Sequence, residues 1–166
     1  MAGLIDELII ILREQSEDFS NLAALASEKS EAIVKNDIEH LQKITNIENT
    51  LVGKNQKDER RLIQTMRDVA TVLNADTDAL TISHLVEVLE GKPGHDELNE
   101  VGASLRQAAD ELAKLNEHNR KLIENSLEYI DFSMNLMRSS QTPPSYFTPD
   151  GEEMPVSSST FFDAKQ

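Results

Sequence analysis

The sequence predicts an all-α protein: an elongated antiparallel bundle of three long helices with coiled-coil packing, one short helix in the second connection and a disordered C-terminal tail. Apolar residues recur at alternating spacings of three and four over long segments, which indicates amphipathic helices. Of the five prolines, only Pro93 precedes residue 143. Aromatic residues make up 4% of the chain and Trp is absent, so the core must be mainly aliphatic. Long helices with one apolar stripe each bury those stripes by packing side by side.

The first helix is predicted from a strict three-four pattern that begins at Ile5. Only two of its nine positions, Gln15 and Lys29, are not apolar. The pattern should end near Asn36, because Asp37 can cap the first free amides of a following helix. The positions are Ile5, Leu8, Leu12, Gln15, Phe19, Leu22, Ala26, Lys29 and Ile33.

The second helix should begin at Ile38, and its pattern is less regular. A polar stretch at residues 53–61 separates two apolar groups and shifts the phase of the pattern. This predicts either a continuous helix with a solvated middle or a bend at Gly53, since Gly in a helix costs about 1 kcal/mol relative to Ala. The two apolar groups are Leu41, Ile44 and Leu51, and Leu62, Met66, Val69 and Leu73.

A short helix and the third long helix follow a turn-like segment at residues 74–81. Thr81 or Ser83 can cap the short helix, which carries Leu85, Val86 and Leu89 and which residues 91–94 should end. The third long helix should extend to about Arg138. Within it, Asn119 is a candidate buried polar residue that fixes register. Its three-four positions are Leu98, Val101, Leu105, Ala108, Leu112, Leu115, Asn119, Leu122, Ser126, Tyr129, Ser133 and Leu136.

The composition changes after residue 138, which predicts a helical bundle at 1–138 and a Pro/Ser-rich disordered tail at 139–166. The tail nevertheless holds four of the seven Phe and Tyr residues of the chain. Because aromatic residues are scarce in purely solvating linkers, these four are candidate contact residues, and a merely solvated tail is the alternative. They are Tyr146, Phe147, Phe161 and Phe162.

Net charge and hydropathy argue against two classes of partner, nucleic acids and the interior of a membrane. The chain carries 16 Lys and Arg against 30 Asp and Glu, a formal net charge of −14. Such a chain repels phosphate backbones, so we expect no nucleic-acid partner. The apolar run at residues 8–12, which no other run exceeds in length, is far below the roughly 20 residues that span a bilayer. No basic segment precedes it as in a secretory signal. We expect a cytoplasmic protein without membrane insertion.

The residues do not predict an enzyme, a metal site or a cofactor. Cys is absent, no Gly-rich phosphate loop follows a predicted strand, and the carboxylates fall on polar helix faces. A di-iron bundle needs Glu-x-x-His pairs, but only Asp37 with His40 places even an acidic residue three before a His. A phosphotransfer module based on His118 with Lys121 stays open, although Leu122 leaves little room over the imidazole.

A second apolar stripe accompanies the first near the end of the third long helix. Together the two stripes leave only a narrow polar line. One neighbouring helix covers one stripe, so the second is either further core or an exposed groove for a partner. The candidate residues are Ile123, Leu127, Ile130, Met134 and Met137, with Tyr129 and Phe132 at the borders.

The last predicted helix also carries a family resemblance. Residues 124–137 read ENSLEYIDFSMNLM, and a Pro-rich tail follows with YFTPDG at 146–151 and FDAK at 162–165. This segment resembles the end of FlgN-type flagellar export chaperones. The resemblance implies a non-enzymatic protein that binds flagellar hook-associated (hook-filament junction) proteins, prevents premature assembly and delivers them to the type III export apparatus.

In that family the C-terminal amphipathic helix binds the substrate. The resemblance therefore implies that the second apolar stripe of this chain is the substrate-binding surface. The alternative from the residues alone is a coiled-coil adaptor or scaffold with homo-oligomeric packing. Both interpretations, export chaperone and coiled-coil adaptor, are compatible with a homodimer.

Overall fold

The computed structural model describes residues 2–76 and 80–140, and within these ranges it contains four helices and no strand. The predicted all-α class is therefore confirmed. The three long helices and the short one appear in the predicted order. They are α1 (Ala2–Lys35), α2 (Ile38–Leu73), α3 (Ile82–Val88) and α4 (His95–Ser140).

The chain divides into two compact units, Met1–Leu127 and Glu128–Gln166. Helix α4 contributes residues 95–127 to the first unit and residues 128–140 to the second. The predicted division between 138 and 139 stays a prediction.

Helix α1 buries a wider face than its predicted stripe. Seven of the nine predicted positions are buried, and Phe19 and Lys29 are half-buried. A second set of buried residues was not predicted, because the three-four pattern counts one stripe whereas α1 contacts both α2 and α4. This second set is Ile9, Ile11, Asp18, Ala23 and Ala32.

The connection between α1 and α2 has the predicted cap. Asn36 adopts a left-handed conformation with φ 58°, and the Asp37 carboxylate accepts a hydrogen bond of 3.0 Å from the backbone amide of His40. Helix α2 then continues without interruption through Gly53 to the left-handed C-cap Asn74. The predicted continuous helix is therefore confirmed at Gly53, but its polar middle is not fully solvated, because Asp58 is buried against α1 and pairs with Arg61.

Helices α1 and α2 run antiparallel. Arg61 of α2 lies 2.9 Å from Glu7 and 2.8 Å from Glu14 near the start of α1, while Glu48 pairs with Lys29 near its end. In the first unit, α1 and α4 run in the same direction. Arg13 pairs with Glu97, and further along both helices Ser30 contacts Asn119.

The core of the first unit draws on all four helices. Thr81 caps α3 by accepting a hydrogen bond of 3.1 Å from the amide of His84. Leu85 of this helix and Leu89, which follows it, are buried. Leu80, from the polar connection, is also buried. The cluster contains Ile5, Leu8, Ile9, Leu12, Val69, Ala70, Leu80, Leu85, Leu89, Leu98 and Val101.

The turn before α4 contacts α1 closely. Gly94 has φ +88°, and a β-carbon there would lie 2.9 Å from Cγ2 of Ile5. Only glycine meets both conditions without displacement, since L-residues rarely adopt this conformation. The backbone of this turn thereby brings the start of α4 against the start of α1.

Hydropathy gives one further result for the described part of the chain. None of its helices contains an uncharged apolar stretch of the length needed to cross a bilayer.

Candidate partner-binding surface

Helix α4 changes character along its length. In the first unit Leu98, Val101, Ala108 and Asn119 are buried. From residue 120 to residue 139, no side chain is buried. The predicted three-four stripe therefore continues in sequence beyond the point where its side chains are covered, and its late members Tyr129 and Leu136 are exposed.

Every predicted partner-binding residue is exposed. In the first unit these are Ile123, exposed to 44%, and Leu127. In the second unit the exposed fraction reaches 71% at Tyr129. Leu136 is also apolar and exposed, but it was not included in the predicted site. Its position on the first apolar stripe of α4 could have identified it from the sequence. The other exposed predicted residues of the second unit are Ile130, Phe132, Met134 and Met137.

The local sequence explains why this segment is helical although its apolar side chains are exposed. No Gly or Pro occurs between Gly102 and Pro143, and side chains without branching at Cβ, such as Leu, Met and Glu, favour the helix. The Ser126 hydroxyl donates to the carbonyl of Leu122 at 2.9 Å, so it is satisfied within the helix. The exposed polar line consists of Glu128, Asp131, Asn135 and Arg138.

A charged cluster precedes the exposed apolar segment. Arg120 pairs with Glu117 at 2.8 Å and with Glu124, and Lys121 lies 3.7 Å from Glu117. The hydrogen bond from Arg120 is the main reason why the pKa of Glu117 falls from 4.5 to about 2. Successive turns of α4 at this point are therefore linked by side-chain ion pairs.

The predicted contact residues of the tail lie outside the described residues. They are Tyr146, Phe147, Phe161 and Phe162.

The described part of the chain shows where the candidate chemical groups lie. It contains no group of three or more His, Asp or Glu side chains that could hold a metal ion. It has two buried carboxylates: Asp18 of α1 pairs with Lys54 of α2, and Asp58 pairs with Arg61 within α2. His118, the candidate phosphate acceptor, is exposed on α4.

Fold and surface together define an all-helical protein whose most distinctive feature is an exposed apolar helix segment. A family model described as "FlgN protein" matches residues 1–154. The chain therefore belongs to the FlgN family, and the predicted resemblance is confirmed. This membership supports a role in flagellar chaperoning. No curated protein and no solved structure matches the chain.

Proposed function

We propose that this protein is a cytoplasmic, non-enzymatic export chaperone that binds flagellar hook-associated (hook-filament junction) proteins. It uses the exposed apolar surface of α4, prevents premature assembly of its cargo and delivers the cargo to the type III export apparatus. The observation that carries the proposal is the exposure of the apolar side chains of residues 129–137. The family membership supports the same reading.

The proposed binding mode is the packing of two amphipathic helices. Junction proteins polymerise through terminal amphipathic helices, so covering the apolar face of such a helix blocks self-assembly. Ile130, Met134 and Met137 follow one another at spacings of four and three along α4, and Met side chains adapt to differently shaped partners. Tyr129 and Phe132 add aromatic area beside this line. Ile123 and Leu127 extend it toward the start of the helix.

An order-of-magnitude estimate makes such binding plausible. Burying about 600 Å² of apolar surface at about 25 cal/mol/Å² gives a gross gain of about 15 kcal/mol. Ordering of side chains and loss of free motion offset most of this gain. The remainder corresponds to micromolar to nanomolar dissociation constants.

The finer features of the fold belong to the same proposal. The proposed bundle has coiled-coil packing, with α2 antiparallel to both α1 and residues 95–127 of α4, and the proposed boundary between bundle and tail stays at residue 138. For the tail aromatics the proposal keeps three alternatives: they cover the α4 surface in competition with cargo, they dock on the export apparatus, or they are merely solvated. These residues are Tyr146, Phe147, Phe161 and Phe162. Deleting residues 141–166 and finding unchanged cargo affinity would remove the cargo-surface alternative.

Calorimetric titration with a junction protein, and with peptides of its terminal helices, tests the function. We expect saturable binding that the double substitution Ile130→Glu/Met134→Glu abolishes. The matched control is Ile38→Glu/Val72→Glu, which adds the same charge at two exposed aliphatic positions of α2. Circular dichroism must show that both variants remain helical.

Other results would contradict the proposal. Absence of binding by the wild-type protein, or equal loss in both double variants, would show that residues 129–137 are not the cargo site. If mass measurement instead gave a stable oligomer that the substitutions at Ile130 and Met134 dissociate, the surface would serve self-association. That result would favour the coiled-coil adaptor.

A further inference from the structure

A second exposed surface lies on α2, beside the buried face of the helix. Its residues follow spacings of four, four, three and four, so they form one line along the helix. All five are exposed, and the line is about 22 Å long at 1.5 Å per residue. We call it the α2 stripe; it consists of Val52, Gln56, Arg60, Ile63 and Arg67.

The charge of this surface is opposite to that of the protein. The whole chain has a net charge of −14, whereas α2 has six Lys and Arg against five Asp and Glu. Of the four described helices, α2 alone is net positive. The imbalance is concentrated at residues 52–67, which carry five cations and two carboxylates.

Three exposed cations between residues 57 and 67 of α2 have no carboxylate partners among the described residues. Lys54 and Arg61, which face α1, pair with Asp18 and with Glu7 and Glu14. Lys57, Arg60 and Arg67 are exposed and take part in no such ion pair. The sequence explains this, because the positions three and four residues from Arg60 are Gln56, Lys57, Ile63 and Gln64.

We infer that the α2 stripe is a docking surface for an acidic amphipathic helix of a partner protein. Arg60 and Arg67 donate hydrogen bonds to carboxylates at matching helical spacing. Ile63 and Val52, exposed to 46% and 43%, contact aliphatic residues between those carboxylates. This surface is separate from the residues of α4 in the proposed cargo site. The inference therefore does not depend on the proposed function.

Charge and shape favour a helix over other anionic partners. Exposed charges act over roughly 8 Å at physiological ionic strength, so a partner feels the local charge of the stripe rather than the net charge. A single helix, about 10 Å across, covers the stripe alone. A lipid surface or a nucleic-acid duplex extends further and meets the acidic remainder of the protein. Neither of them offers helically spaced aliphatic groups to Ile63.

Fluorescence anisotropy with designed peptides tests the inference. The probe is a labelled 22-residue helical peptide with Glu at i, i+3 and i+7 and Leu between them on one face. A second peptide has Lys in place of each Glu. We expect saturable binding of the Glu peptide to the wild-type protein, at least ten-fold weaker binding to Arg60→Glu/Arg67→Glu, and a preference of that variant for the Lys peptide.

Two further variants separate the charged and apolar contributions. Arg106→Glu/Lys114→Glu changes the net charge equally on exposed positions of α4 and should leave the affinity within two-fold. Ile63→Ser should weaken binding about three-fold with little change in its salt dependence, because only the apolar contact is lost. Circular dichroism of each variant checks that α2 remains folded.

The inference would be overturned by any of three results. The Glu peptide could fail to bind the wild-type protein, or the α4 control variant could lose as much affinity as the α2 variant. Tighter binding of a 20-base-pair DNA duplex, or of vesicles containing 30% phosphatidylserine, would assign the stripe to a different class of partner. Cargo binding by the Arg60→Glu/Arg67→Glu and Ile63→Ser variants should be unchanged if the cargo site is the α4 surface. This measurement separates the inference from the proposed function.

Discussion

Asn119 of α4 donates a hydrogen bond of 2.7 Å from its side-chain amide to the backbone carbonyl of Ala26 in α1. Its side-chain oxygen accepts a hydrogen bond of 2.5 Å from the hydroxyl of Ser30, one helical turn further along α1. Asn119 is only 3% exposed. These two hydrogen bonds fix which turn of α4 lies beside which turn of α1. Sliding either helix by one turn would leave the buried side-chain amide of Asn119 without partners.

Replacing Asn119 should therefore destabilise the first unit. We expect Asn119→Ala to lower the free energy of unfolding by about 1–3 kcal/mol, since the variant loses two hydrogen bonds and leaves a small cavity. Urea unfolding followed by circular dichroism measures the change. The control Asn116→Ala, at an exposed position of the same helix, should change stability by less than about 0.5 kcal/mol.

A double-mutant cycle with Ser30→Ala isolates the contact between the two side chains. Because they are in direct contact, the effects of the two substitutions should not be additive. Strict additivity, or equal destabilisation by Asn116→Ala, would contradict the role assigned to Asn119.

The sequence predicted those features that depend on local pattern. The cap at Asp37, the short helix after Thr81 and the burial of Asn119 all follow from residue type and three-four spacing. The pattern could not show that α1 buries a second set of residues, including Asp18, because that depends on how many neighbours contact the helix. It also left open whether Gly53 bends α2, since continuity depends on packing on either side.

The candidate site was predicted as a set of residues with two opposite interpretations. Periodicity identifies Ile130 and Met134 as apolar and aligned, but it does not distinguish a covered stripe from an exposed one. Their exposure depends on which neighbouring helices cover them in the folded structure. The excess of cations at residues 52–67 of α2 follows from the sequence alone. That Arg60 has no carboxylate partner does not, because it depends on which residues of α1 face α2.

The ion pair between Lys54 and Asp18 should respond asymmetrically to substitution. The carboxylate is buried, with 3% of its side chain exposed, whereas the lysine side chain is 52% exposed. Their hydrogen bond is the main cause that raises the pKa of Lys54. We expect Lys54→Met to cost about 1–3 kcal/mol of stability, because it leaves a buried carboxylate without its cation. Asp18→Leu should cost less, or stabilise, because Lys54 can be hydrated.

Chemical denaturation of both variants measures this asymmetry. Lys57→Met is the matched control, since Lys57 is exposed and lies three residues along the same helix; it should change stability by less than about 0.5 kcal/mol. A larger loss for Asp18→Leu than for Lys54→Met would show that hydration of Lys54 does not compensate for the lost pair.

The cluster around Glu117 predicts a specific pH dependence. Because its pKa is lowered from 4.5 to about 2, the ionised side chain contributes stability above pH 4.5, and this contribution is lost as the pH falls from 4.5 toward 2. Arg120→Gln should raise the pKa of Glu117 more than Lys121→Gln does, because the hydrogen bond from Arg120 is the larger cause. Carboxyl chemical shifts followed by NMR between pH 1.5 and 7 report the pKa directly; equal effects of the two variants would contradict this ranking.

Two glycines should respond in opposite directions to replacement by alanine. Gly53 lies inside α2 with no atom within 4 Å of an added β-carbon, so Gly53→Ala should stabilise the protein by about 0.5–1 kcal/mol through better helix propensity. Gly94→Ala should destabilise it by about 1–3 kcal/mol, because it combines a positive φ with a contact of 2.9 Å to Ile5.

Gly91→Ala separates those two causes at the turn before α4. Gly91 has φ +74° but open space around an added β-carbon, so its replacement carries the backbone strain without the contact to Ile5. Its thermal midpoint should therefore fall between those of the wild-type protein and of Gly94→Ala. If Gly91→Ala were as unstable as Gly94→Ala, backbone strain alone would explain both losses, and the approach of the turn to α1 would contribute nothing measurable.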